Sequence, residues 1–275
     1  MAEALSGKVA VVTGSGRGIG RAIARKLASH GAAVVVNDLD AGPAGETVDE
    51  LRKAGARALP FAGNVTTPDF GEKLIAAAVS EFGSVDIIVN NAGYTWDNVI
   101  QKMQDDQWYA MLDVHATAPF RILRAALPHI RKALEREKAE GRRVMRKVVN
   151  ITSVSGIFGN AGQAGYAAGK AAVIGLTKAL AKEWGRYNVN VNCVGFGLIE
   201  TRLTQPLTGA EATISVEGRQ IAVGVQPAAI AGVKTLCPLG RAGTPEEAAG
   251  AVDFFTSPDS DYVSGQVLVV NGGTN

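Results

Sequence analysis

The chain has 275 residues, 47% of them apolar and 20% charged, with a formal net charge of +2. At that length one large domain can bury roughly three quarters of its unfolded surface, and the composition excludes intrinsic disorder and a polybasic nucleic-acid binder. Cys193 and Cys237 cannot build a disulfide framework or a zinc site, and His30, His115 and His129 are too scattered for a metal cluster, so no metal is expected.

The opening MAEALSGKVAVV is not expected to be a secretory signal, because Glu3 stands where a basic start belongs and Lys8 interrupts the apolar run. Lys8–Thr13 reads as a buried strand, and Gly18–His30 as a helix that Gly31 stops. Ala33–Asn37 is a strand, Ala44–Gly55 a helix, Ala56–Phe61 a strand, Pro68–Phe82 a helix and Val85–Asn90 a strand. A long helix begins near Asp105, and Val148–Thr152, Val189–Val194 and Val267–Val270 complete seven candidate strands. Strands alternating with helices imply right-handed βαβ units. The predicted fold is α/β: a three-layer, doubly wound Rossmann fold with a seven-stranded parallel sheet and helices on both faces, as a single domain over 1–275. The most apolar long stretch, Val223–Val233, holds Gln226 and Pro227 and falls short of the roughly 20 residues of a membrane span. A cytoplasmic protein with no membrane or nucleic-acid partner is expected.

Two segments break the alternation. Residues 131–147 carry eight basic and three acidic residues, which reads as a solvated helix extension or as a contact for an acidic or phosphorylated partner. The weakly charged, apolar run at about 199–237 reads as a lid over a pocket, or as a pair of packing helices.

The first strand runs into TGSGRGIG, whose glycines allow a tight turn and close approach of a phosphate to a helix N-terminus. Its spacing departs from G-x-G-x-x-G and reads as TGxxxGxG over Thr13, Gly14, Gly18 and Gly20. A second motif, Tyr166-x-x-x-Lys170, sets an ammonium one helical turn from a phenol, where it can lower the phenol's pKa and fit it for proton transfer. Ser153 ends a strand 13 residues upstream.

Together these motifs resemble the short-chain dehydrogenase/reductase family, in particular its 3-oxoacyl-ACP reductase-like and hydroxyacyl-CoA dehydrogenase-like members. The resemblance implies that Ser153 holds the substrate oxygen, Tyr166 is the general acid/base, and Lys170 binds the cofactor ribose and tunes Tyr166. Ser155 is the alternative serine. It implies cofactor contacts at Gly14, Arg17, Gly18, Ile19 and Gly20, at Asn64 and Val65, at Asn91, Ala92 and Gly93 of the NNAG run, at Tyr166 and Lys170, and at Ile199 and Thr201 of GLIET.

Asp38, 18 residues past Gly20, can bind both ribose hydroxyls and repel a 2′-phosphate, which favours NAD over NADP; Arg17 pulls the other way. The family's PLGR-x-GTPEE has its counterpart at 238–247, where Thr244, Pro245 and Glu247 also read as an ordinary helix cap. Three positions depart from the family. His115 replaces an asparagine of the proton relay, so that either the imidazole joins the relay or only its backbone matters. Phe196 replaces a proline, to pack on the nicotinamide or to fill the pocket wall. Asn64 replaces an aspartate.

The leading expectation is an NAD-dependent enzyme interconverting a secondary alcohol and a ketone on an apolar substrate: a 3-hydroxyacyl or alicyclic thioester, or a steroid-like ring alcohol. A CoA-linked substrate, whose phosphate the basic segment would help hold, belongs to that reading. The alternatives are an NADPH-dependent 3-oxoacyl-ACP reductase and, in another class, an NAD-binding sensor without turnover. A homotetramer, with the long helix and last strand at its interfaces, follows from the resemblance alone.

Overall fold

The computed structural model describes residues 3–204, 212–216, 218–223, 232 and 235–274. The strands are β1 (Val9–Val12), β2 (Ala33–Asp38), β3 (Ala58–Ala62), β4 (Ile87–Asn90), β5 (Arg146–Ser153), β6 (Val189–Phe196), β7 (Ala212–Val216), β8 (Arg219–Val223) and β9 (Val267–Val270). The helices labelled here are α1 (Gly18–Ser29), α2 (Ala41–Lys53), α3 (Phe70–Phe82), α4 (Asp105–Leu112), α5 (Ala118–Ala139), α6 (Val154–Phe158), α7 (Ala164–Trp184) and α8 (Pro245–Thr256).

Seven strands form one parallel sheet in the order β3-β2-β1-β4-β5-β6-β9. The side-chain alternation of a strand divides the core in two. Ala10, Val12, Val34, Val36, Ile87 and Val89 face one way and pack with Ile23 and Leu27 of α1, Val48 of α2 and Val252 of α8. Val9, Val11, Val35, Ile88, Val148 and Val191 face the other way and meet Leu74 of α3, Met111 of α4 and Ile122 and Leu123 of α5. Both faces being covered, the strands are apolar throughout, as a parallel sheet requires. The chain leaves β1 toward β2 and later returns on its other side as β4, and the crevice at the carboxyl ends of these strands is where ligands bind in such sheets.

Two expectations need correction. The described part of the 199–237 segment contains an antiparallel hairpin, β7 with β8, rather than a pair of helices. Gly218, at φ +78°, turns the chain between the paired Val216 and Arg219. The rest of the lid expectation falls on 205–211, 217, 224–231 and 233–234, outside the described residues.

The basic segment is not one solvated extension. Arg146 and Lys147 open β5 and are buried. Arg146 makes a two-pronged bond to Glu137 (3.0 and 2.5 Å) and lies 3.5 Å from Asp86, while Lys147 meets Asp261 (2.7 Å) and Asn190 (3.0 Å). These charges lie at the amino end of β5, and Ser153 at the other end is about 23 Å away at strand rise. Arg146 and Lys147 are therefore badly placed to hold a CoA phosphate at Ser153. Among the described residues no helix is long and apolar enough to cross a membrane.

Candidate active site

The turn after β1 is pressed against the loop after β4. Thr13 Oγ1 accepts the backbone N–H groups of Asn91 and Ala92, both at 3.0 Å. Asn91 Nδ2 donates to the carbonyls of Thr13 (2.9 Å) and Gly14 (3.0 Å). A Cβ on Gly14 would lie 2.8 Å from Ala92 Cα, and one on Gly20 would run into the Gly14 carbonyl. Gly14 and Gly18 hold φ of +61° and +53°. Glycine is thus required twice over here, for conformation and for space.

α1 starts with no side-chain cap and no acidic residue in its first turn, so its leading N–H groups are left for an anion. The Thr201 methyl would lie 3.5 Å from a Cβ on Gly18, which brings the GLIET threonine to the same spot. Ile19 packs against the first core cluster, and Ile199 is buried in it. This cradle fits a dinucleotide pyrophosphate.

Asp38 ends β2 and is buried, accepting the N–H groups of Gly16 (3.1 Å) and Asp40 (3.2 Å). Arg17 is held by Asp40 at 3.1 Å, with Asp38 at 3.8 Å. The guanidinium is already shared by two carboxylates. Asn37 fastens this corner: its Oδ1 accepts Gly14 N–H (3.3 Å) and its Nδ2 donates to Phe61 O (2.9 Å). Asn64 Oδ1 accepts the Thr66 N–H (3.0 Å), so it shapes its own loop, and Val65 is buried in the second core cluster.

At the carboxyl end of β5, Ser153 caps α6 and its Oγ accepts the Ser155 N–H at 3.2 Å. Ser155 itself is buried, with its hydroxyl committed to Gln163 (2.8 Å). That removes the alternative serine from the phenol. Tyr166 and Lys170 share one face of α7, with Nζ 5.8 Å from the ring centroid. α7 lies close to its neighbours because Gly156 and Gly169 leave room: a Cβ at either would approach the Lys170 backbone or the Met111 carbonyl to 2.7 Å.

The expected tuning of Tyr166 is corrected by its surroundings. Burial pushes the phenol up to about 12, against the pull of its hydrogen bond with Ser153. Lys170 is enclosed, donates to Ile151 O at 2.8 Å, and is pushed down to about 8 by burial. Desolvation is the largest cause of both shifts.

His115 lies in a π-helical turn (Asp113–Thr117) between α4 and α5, whose extra residue carries the ring inward. Its Nε2 is 2.8 Å from Tyr94 O, and its ring stands edge-on to Tyr166 with centroids 5.0 Å apart. Burial, aided by the Lys170 charge, holds its pKa well below 6.5. The imidazole is neutral near neutrality, which removes the titration on which a pH-visible relay depends. Gly93 lies against its ring, where no Cβ would fit. Phe196 is buried in the first core cluster and fills the wall.

The sequence reading passed over Asn37, Asp97 and Gln163. Asn37 adjoins Asp38, Asp97 lies four residues beyond Gly93, and Gln163 lies three before Tyr166; closeness to a motif was the available signal. The 241–247 run is a helix cap in fact: Thr244 and Glu247 exchange bonds of 3.2 and 2.9 Å, and Arg241 grips Glu247 at 2.7 and 2.6 Å.

Comparison with known proteins adds three relatives and a family. A family model described as short chain dehydrogenase matches residues 8–212. The 3-oxoacyl-[acyl-carrier-protein] reductase FabG of Vibrio cholerae is 41% identical over 269 residues, 98% of each chain. That of Thermotoga maritima is 35% identical over 269 residues, again 98% of each chain. That of Escherichia coli K12 is 38% identical over 267 residues, 97% of each chain.

Proposed function

The chain belongs to the short-chain dehydrogenase/reductase family and is an NAD(P)-dependent oxidoreductase; on that premise we propose that it interconverts 3-oxoacyl and 3-hydroxyacyl thioesters, with NAD(H) as its cofactor. The observation that carries this reading is the convergence of Ser153, Tyr166 and Lys170 beside a glycine cradle, in a chain similar over nearly its whole length to 3-oxoacyl-[acyl-carrier-protein] reductases. Their names support the reductase that stood as the alternative, and favour an acyl thioester over a ring alcohol.

The cradle after β1 binds the pyrophosphate, Thr201 adds to it, and Asp38 takes the ribose. When bound, the nicotinamide ring carries the hydride. Ser153 holds the substrate oxygen. Tyr166 carries a proton, which burial makes harder to lose, and can give it to a carbonyl oxygen, which suits reduction. Lys170 supports the phenol from one turn away. Asn64, Val65 and the 91–93 run line the adenosine side.

NAD(H) is supported by the two carboxylates that occupy Arg17, since a 2′-phosphate would meet net negative charge. The NADPH-dependent form is the second reading, and Arg17 at the mouth is the feature in its favour. A homotetramer is consistent with the exposed Phe120 on α5 and Leu268 on β9.

The test is turnover of CoA- and ACP-linked 3-oxoacyl thioesters and of ring ketones, with NADH and with NADPH, followed by cofactor absorbance. Thioesters should be reduced with at least about tenfold higher kcat/KM than ring ketones, and NADH should be preferred by about tenfold. Preference for a steroid-like ketone would overturn the substrate, and an NADPH preference the cofactor.

A further inference from the structure

We propose that Asp97 is a positioning residue for this reaction, fixing through Gln163 and Ser155 both the catalytic serine and the helix turn that presents Tyr166. The proposal rests on the reading of Ser153 and Tyr166 as the reacting pair.

A chain of hydrogen bonds carries it. Gln163 Oε1 accepts from Ser155 Oγ (2.8 Å) and from Asn160 Nδ2 (2.9 Å). With the carbonyl side of the amide taken by two donors, its NH2 side must face an acceptor, and Asp97 Oδ2 accepts it at 2.6 Å. Ser155 N–H in turn donates to Ser153 Oγ at 3.2 Å. Gln163 also precedes the first turn of α7, where its carbonyl accepts the Ala167 N–H at 2.7 Å. One amide therefore links the carboxylate to both halves of the site.

The backbone already joins these loops, because Asn98 N–H donates to Gly162 O at 2.9 Å. A loop tie alone needs no carboxylate. At the exposed edge of this network the Asp97 carboxylate meets the Gln163 amide, whose hydrogen bond favours its charged form. That charge also acts on the neighbouring phenol, raising the Tyr166 pKa further. The other titratable groups around the phenol are Lys170 on α7 and His115 in the π-helical turn, with Cys193 on β6 facing Lys170.

Asp97→Asn keeps an acceptor for Gln163 and removes the charge; Asp97→Ala removes both. Steady-state reduction of acetoacetyl-CoA across pH separates these roles, with Tyr166→Phe alongside. Asp97→Ala should lower kcat about tenfold with KM changed less than about twofold, as expected for a lost charge-assisted hydrogen bond. Asp97→Asn should restore kcat to within about threefold, with any shift of its pH midpoint downward as the like charge leaves. A wild-type kcat in Asp97→Ala would overturn the proposal, as would an Asp97→Asn kcat as low as that of Asp97→Ala. If Asp97→Ala does not fold, Gln163→Met, which cuts the same link, decides in its place: its kcat should fall about tenfold, and a wild-type kcat would overturn the proposal. Retained activity in Tyr166→Phe would instead remove the reading of the reacting pair.

Discussion

The two ends of β5 bury charge in opposite ways. At the amino end Arg146 is enclosed by Glu137 and Asp86. At the carboxyl end Lys170 is just as enclosed, but its Nζ has a carbonyl for a partner, and the titratable groups around it are a thiol, a phenol and an imidazole. Paired charge holds the chain together. Charge without a counter-ion shifts its proton affinity instead, and such groups gather where proton chemistry is done.

Substitutions at the two ends should therefore fail differently. The largest effect is expected from Tyr166→Phe, which should lower kcat by roughly a thousandfold while cofactor binding, measured by fluorescence titration, is retained. Next is Glu137→Ala, which strands Arg146 in the interior. Denaturant unfolding should show a loss of about 3–5 kcal/mol, with kcat of the folded fraction unchanged. A large kcat effect there would erase the contrast between the ends.

Lys170→Met sharpens it through pH. Because the folded pKa of Lys170 lies near 8 and the unfolded value near 10.5, the unfolded chain binds the extra proton in between. Wild-type stability should then gain on Lys170→Met by up to about 3 kcal/mol as pH rises from 8 toward 10.5. Tyr166 and Cys193, both pushed up to about 12, act in the opposite sense at high pH, but they titrate in both proteins, so the difference reports Lys170.

The smallest effect is expected from His115→Asn. Its kcat–pH profile should match the wild type between pH 6 and 8, since the imidazole is neutral there. The depressed folded pKa means that wild-type stability is lost as pH falls below 6.5, and the variant should lose less in thermal melts. A shifted profile would restore the relay.

Much of this was legible beforehand. All seven sheet strands, the glycine turn and the Tyr166–Lys170 face follow from period, from steric need and from helical spacing, which are local properties. The hairpin at 212–223 was missed because its apolar content suits either regular structure and only strand pairing decides between them. The burial of Arg146 and Lys147 was missed because a run of basic residues looks solvated until its carboxylates arrive from the residue before β4, from α5 and from the loop before β9.

What the sequence determined by itself was the layer architecture and which side chains are the candidates for the reaction, because alternation, turn chemistry and i, i+4 spacing act within a few residues. What only the tertiary structure decided was the state of those groups. A phenol held protonated, a lysine driven toward 8, an imidazole kept neutral and an arginine claimed by two carboxylates all depend on how much water the packed neighbours exclude and which charges they bring near.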